Sequence, residues 1–266
     1  NKGSINNSNI DNYLIDNRTY LTGLGAASLP KANQGEILGI SSDLNNNTLF
    51  ARLPFRNSDN KSLFISGKES IKIYDNKFLE SITTTHHVVP FVIFVPVTLF
   101  FLYQTILFTM AHNYNPWLNF PLIIGGILLW TFIEYTGHRY VFHSNPKSKT
   151  GKKLLYLIHG AHHDYPNDPR RLVVPPIVSI PGGLLLYWGI YNLFGPYMSA
   201  PFFMSLVFSY LVYDWFHYAS HHMTLKNKYF RMLVKHHLLH HYRDPENGFG
   251  FTTTAWDKIL NTMFKK

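Results

Sequence analysis

The sequence predicts an all-α integral membrane fold. Four transmembrane helices form two hairpins, a cytoplasmic helical cap covers one end, and a polar, poorly structured extension precedes them. Three observations carry this reading. Residues 88–111, 117–133 and 172–213 contain no Asp, Glu, Lys or Arg. As a single helix the last stretch would reach about 63 Å, twice the roughly 30 Å hydrocarbon core of a bilayer, so it must fold back. Lys and Arg crowd some connecting segments and are missing from others. Only 15% of the chain is charged, against roughly 25% in soluble domains. The mean hydropathy of −0.07 therefore averages two unlike parts.

The first part is residues 1–67, rich in Asn, Ser and Gly. Such side chains bond their own backbone and favour turns over long helices. Short strands at 49–53 and 62–65 are the alternative, because both segments mix apolar and β-favouring residues. The second part, residues 68–266, holds the spans, expected at about 88–111, 117–137, 174–193 and 200–217. The break in the long run is expected between Asn192 and Pro201, where Gly195-Pro196 and Ala200-Pro201 interrupt it.

Charge sets the orientation. The connections at 112–116 and 194–200 carry no Lys or Arg, whereas 138–171 carries Arg139, Lys147, Lys149, Lys152, Lys153, Arg170 and Arg171. The segment after residue 222 is also basic. The positive-inside rule places these basic segments and the N-terminus in the cytoplasm. The net charge of +9 lies almost wholly beside apolar spans, so an anionic lipid surface is the expected partner and nucleic acid is not. With no cysteine, disulfide scaffolds, thiolate metal sites and a cysteine nucleophile are excluded.

Fifteen histidines equal the number of Asp plus Glu residues. Twelve fall in four clusters: His138 and His143; His159, His162 and His163; His217, His221 and His222; His236, His237, His240 and His241. The topology puts all four on the cytoplasmic side. Residues three or four apart on a helix share a face, so His159 with His162 or His163, His217 with His221, and His237 with His240 or His241 can each clamp one ion. Adjacent histidines point about 100° apart and can serve two ions. His138 and His143 are about 140° apart on a straight helix, and share an ion only if the helix ends there. So many imidazoles exceed one ion's needs, and two metals are expected. His86, His87 and His112 are read as ordinary, and His236 as a doubtful ligand. All-imidazole sites suit Fe, Zn, Cu or Ni rather than Mg or Ca. Iron is preferred because a lipid tail can reach the site and unactivated C–H bonds need oxygen chemistry. Glu134 lies four residues before His138, and Asp214 three before His217. Both close apolar spans, where an ionisable group is a functional hypothesis. Each is expected to accept a ring N–H from a metal-bound histidine.

These residues resemble the membrane fatty acid hydroxylase and sterol desaturase superfamily, and within it the fatty acid 2-hydroxylases. The resemblance rests on the histidine spacing and on Trp130–Arg139, His159–His163, Arg171-Leu-Val-Val-Pro175-Pro176, Tyr213-Asp214, Gly248-Phe249-Gly250 and Trp256-Asp257. It covers the chain from about residue 68 onward. It implies a di-iron centre held by His138, His143, His159, His162, His163, His217, His221, His222, His237, His240 and His241, with zinc possible in purified protein. It also implies O2-dependent hydroxylation at C2 of an acyl chain, such as that of a ceramide. The histidine boxes alone are shared with desaturases and with sterol or carotenoid oxidases, which stay open as alternatives. Some relatives carry a haem domain with a His-Pro-Gly-Gly motif, absent from these 266 residues. A separate electron donor of cytochrome b5 or ferredoxin type is therefore expected. The membrane would be the endoplasmic reticulum in a eukaryote or the inner membrane in a bacterium. A non-enzymatic metal-binding protein such as a transporter is the other class, but transporters place ligands near the bilayer midplane.

Overall fold

The computed structural model describes the backbone at 40–43 and 48–51, and residues 70 and 72–265. Ile40–Asp43 (β1) and Thr48–Ala51 (β2) pair antiparallel, with Ile40 opposite Ala51 and Asp43 opposite Thr48. The strand expected from residue 49 thus has a counterpart. The rest of the Asn-rich extension, including 62–65, lies outside the described residues. From residue 72 the regular elements of the described chain are all helical.

A short helix, Lys77–Thr83 (α1), starts at Asn76, whose side chain accepts from the amides of Phe78 and Leu79. It leads into Val89–Ala111 (α2), with a proline in its first turn. There a missing N–H has no helical partner to lose. After a 3₁₀ turn at Pro116–Leu118 comes Asn119–Thr136 (α3). It is extended by a π-helical turn, Gly137–Phe142. Lys149–Leu155 (α4), a second π turn at Tyr156–Gly160 and Ala161–Asp164 (α5) form one side of the cap. Pro176–His222 (α6) is the longest element, followed by Lys228–Tyr242 (α7) and Ala255–Ile259 (α8).

α6 is two arms rather than one rod. Gly195 has φ 73° and ψ 178°, a non-helical conformation. Tyr187 and Phe203 are sixteen residues apart, about 24 Å along a straight helix, yet their ring centroids are 5.0 Å apart. The chain therefore folds back at Gly195. The expected break is right in place, but Ala200-Pro201 takes no part in it: the second arm begins at Pro196 and runs through Pro201 to His222. Pro196 fits the start of a helix, and Pro201 forfeits one backbone bond without ending the arm.

Among the described residues, three helices are long and apolar enough to cross a membrane: Val89–Ala111, Pro116–Phe142 and Pro176–His222. Their apolar residues face both ways. Phe94, Phe101, Ile190, Phe203, Leu206, Tyr210 and Leu211 pack inward as one cluster. Met110, Trp188 and Leu193 are 74%, 65% and 75% exposed, which in water would leave a large apolar surface uncovered. A soluble helical core is thereby excluded. The two short connections meet at one end, where His112 packs on Tyr114 and Tyr197. The four histidine clusters gather at the other.

Gly195 is the position where the fold depends on glycine's freedom. An added Cβ would meet nothing within 4 Å, so the cost of a substitution is backbone strain alone, of order 1–3 kcal/mol. Gly195→Ala should lower the free energy of unfolding in detergent by that amount, and the midpoint with it, whereas Gly189→Ala, inside a helix and equally uncrowded, should not. Equal midpoints for the two variants would contradict this.

Candidate metal centre

Ten histidines meet in two groups of five. His138, His143, His159, His163 and His240 form the first, and His162, His217, His221, His237 and His241 the second. Within each group one ring nitrogen per residue lies within 4.8 Å of all the others. In the first, Nε2 of His159 is 3.0 Å from that of His138 and 2.9 Å from that of His163, and His240 is 3.0 Å from His143. In the second, His217 is 2.9 Å from His162, and His237 is 2.9 Å from His221 and 3.0 Å from His241. Two imidazole nitrogens about 2.0–2.1 Å from one ion at right angles are about 2.9 Å apart. The spacing is thus that of neighbouring corners of a coordination polyhedron, and the donor sets fit one transition-metal ion each.

Local helix geometry explains the sorting. His159 with His163, His217 with His221, and His237 with His241 are the i, i+4 pairs, each contributing two rings to one group. His162 with His163 and His240 with His241 are adjacent, and each pair divides its rings between the groups. His138 and His143 share a group although five residues apart. The π turn makes this possible: the His143 amide donates to the His138 carbonyl at 3.1 Å. An i, i+5 bond stacks residue i+5 over residue i, where an α-helix would leave them on different faces.

The rings present lone pairs because they are neutral. Burial first, and neighbouring imidazoles second, hold His159, His162, His163, His237, His240 and His241 well below the ordinary histidine range. His143 is pushed down to about 3 for the same reasons.

Both carboxylates expected beside the ligands sit elsewhere. Glu134 reaches no ring: its Oε1 accepts from the amides of Phe251 and Thr252 at 2.7 and 2.9 Å, and its Oε2 from the Thr252 hydroxyl at 2.6 Å. Helix geometry points it along α3 toward the returning C-terminal segment. Asp214 is buried and meets the Tyr210 hydroxyl, which in turn meets that of Ser179. His222 joins neither group; its ring stacks on Tyr218, which stacks on His87. His236 bonds Asp257 at 3.1 Å.

Two of the ring N–H groups in the first group find backbone carbonyls instead. His138 Nδ1 bonds the carbonyl of Phe249 at 2.8 Å, and His240 Nδ1 that of Asn247 at 2.7 Å. The sequence gives no count or period for such a role; an acid at Asp257 after a Gly-Phe-Gly turn was the available signal. A second set of buried charges ties down the cap. Arg171 pairs with Glu80 at 2.5 Å and with Asp168 at 3.7 Å, and Ser70 donates to Asp168 at 2.9 Å.

Fold and donor atoms together define a helical protein with membrane-spanning character and a paired, all-imidazole metal centre at one end of its apolar helices. The family model for fatty acid hydroxylase matches residues 123–262, which contain all ten of these histidines. A dihydroceramide fatty acyl 2-hydroxylase of Arabidopsis thaliana is 33% identical over 202 residues, 73% of this chain and 81% of that protein. A ceramide very long chain fatty acid hydroxylase of Saccharomyces cerevisiae is 34% identical over 199 residues, 74% of this chain and 50% of that protein. A solved structure of full-length scs7p, in which only the hydroxylase domain is visible, superposes with a TM-score of 0.67 at 33% identity, covering 74% of each chain. The chain belongs to the fatty acid hydroxylase family.

Neutral buried imidazoles make the metal-stripped protein acid-sensitive. Unfolded histidines take up protons near pH 6.5, while the folded ones resist until lower pH. The unfolded state then binds more protons, and stability falls as pH drops below about 6.5. After chelation the unfolding midpoint should fall from pH 7.5 to pH 5.5 and stay level above 7.5. A rise on acidification would contradict the burial described here.

Proposed function

We propose that this protein hydroxylates C2 of the fatty acyl chain of a sphingolipid, at two iron ions held by His138, His143, His159, His163 and His240 and by His162, His217, His221, His237 and His241. The observation that carries the reading is the pair of five-imidazole groups where apolar helices end. The names of the relatives supply the substrate. Bound iron would supply oxygen activation, the overall reaction converting one C–H bond, O2, two electrons and two protons into a C–OH group and water. A separate donor of cytochrome b5 or ferredoxin type delivers the electrons, and the basic surface beside the spans suits an acidic one.

The chain's own residues hold, orient and exclude. Neutral histidines offer ten lone pairs without protons to displace. Residues 68–266 form the hydroxylase unit. Its helices cross the bilayer four times, the two arms of α6 counting separately, in a multi-pass arrangement with the site on the cytoplasmic face. The membrane is the endoplasmic reticulum in a eukaryote or the inner membrane in a bacterium. A tail entering from the lipid then meets the site without crossing water. Asp214, with Tyr210 and Ser179, offers polar atoms inside an apolar bundle three residues from His217. A carboxylate's two oxygens offer about four acceptor sites, more than the Tyr210 hydroxyl fills. The polar end of the substrate, one bond from C2, is a fitting partner, and a donor-bearing amide suits Asp214 better than a free carboxylate does.

The test is lipid analysis of cells that lack 2-hydroxy acyl chains and express this protein with a competent donor. Chains hydroxylated at C2 are expected, and the His162→Ala/His240→Ala double variant should produce none. Absence of 2-hydroxy chains from the unaltered protein, or full activity in the double variant, overturns the reading. Asp214→Asn should lower turnover by 10-fold or more while metal content stays at the level of the unaltered protein.

A further inference from the structure

The segment 247–252 crosses the first histidine group as a strap, and two buried carboxylates pin it at its middle and its far end. Glu134 holds Phe251 and Thr252. Asp257, fully buried, takes the amide of Phe249 at 2.9 Å on Oδ1 and that of Gly250 at 2.8 Å on Oδ2. The Thr262 hydroxyl at 2.7 Å and His236 Nε2 at 3.1 Å complete its donors. Gly248 takes φ 76°, a left-handed conformation that favours glycine and turns the strap. An added Cβ there would run into the Phe264 ring.

Pinned this way, the strap aims two carbonyls at two rings. Phe249 receives His138 Nδ1 and Asn247 receives His240 Nδ1. Each bond fixes which nitrogen carries the proton and leaves Nε2 free to face the group. The Phe249 ring packs against the same group, with centroids 5.7 Å from His138 and 5.5 Å from both His143 and His240. The second group is supported differently: His217 meets the Leu172 backbone, and the Phe251 ring, whose amide Glu134 holds, packs on His217 and His237, whereas Nδ1 of His162, His221 and His241 is buried without a hydrogen-bond partner among the described residues.

We propose that Asp257 is a positioning residue for the first metal site only, acting through the strap to orient His138 and His240, so that the two sites hold their metals unequally. This rests on the reading that both histidine groups bind metal. Removing such an outer partner typically costs 10–100-fold in metal affinity.

The test uses the full chain in detergent, loaded with zinc and mixed with excess chromogenic chelator. The unaltered protein should release two zinc ions per chain in two phases. Asp257→Asn should speed one phase by 10–100-fold and leave the other unchanged. Gly250→Ala should do the same with the carboxylate intact, because its Cβ would run into the Thr253 carbonyl oxygen and Asp257 Oδ2 and push the strap off its anchor. Thr262→Val removes another donor to Asp257 but no strap amide, and should change neither phase. Positioning is overturned if Asp257→Asn leaves both phases alone or speeds both equally, or if Thr262→Val matches it. It is also overturned if Asp257→Asn and Gly250→Ala both fail to fold while Thr262→Val folds, since Asp257 is then a requirement of the fold. Fewer than two zinc ions in the unaltered, folded protein would instead sink the metal reading beneath the proposal.

Discussion

Ten imidazoles gathered in one place, eight of them buried and two half-buried, are the constraint on which the rest of the structure depends. Each ring offers a lone pair on one nitrogen and a proton on the other, and in a water-poor interior both need partners. Cations shared five rings at a time would satisfy the lone pairs. Bringing the rings together then requires four segments of the chain to end at the same level. The helices of the membrane body do this: α3 delivers His138 and His143, and the second arm of α6 delivers His217 and His221. The cap closes over them from α5 and α7. The hairpin at Gly195 serves the same end, since without it α6 would carry its histidines to the wrong side of the bilayer.

Helix geometry then does the sorting. Pairs spaced i, i+4 stay within a group, and adjacent pairs bridge the groups, so His162-His163 and His240-His241 tie the two sites into one unit. A displacement of α5 or α7 must therefore disturb both. The groups differ in what lies behind them. Backbone carbonyls of the C-terminal strap stand behind the first, whereas an apolar bundle holding the buried carboxylate of Asp214 adjoins the second.

Much of this was legible in the sequence, for identifiable reasons. Charge-free runs fix span lengths because a bilayer has a fixed thickness, and spans starting near 88 and ending near 111 follow directly. Histidine spacing is legible because a helix repeats every 3.6 residues, so three of the four clamps appear as i, i+4 pairs. His138 and His143 do not, because spacing alone cannot show a π turn. His222 was expected among the ligands, yet its ring stacks on Tyr218, because a residue adjacent to His221 points to another face. Glu134 was expected to touch His138 from one turn away; it instead holds Phe251 and Thr252, more than a hundred residues distant. Long-range contacts of that kind, including the carbonyls of Asn247 and Phe249, leave no local pattern. Asp257 illustrates the same limit: its four donors come from three separate segments.

The central claim is that two metals are held by imidazole nitrogen alone, five rings to each. X-ray absorption at the iron edge of the fully loaded protein measures this directly, with elemental analysis of the same sample. Two irons per chain are expected, each with about five nitrogen neighbours at roughly 2.0–2.1 Å, together with the outer-ring scattering of imidazoles. A single iron per chain, or a shell of mainly carboxylate oxygen without imidazole scattering, would contradict it.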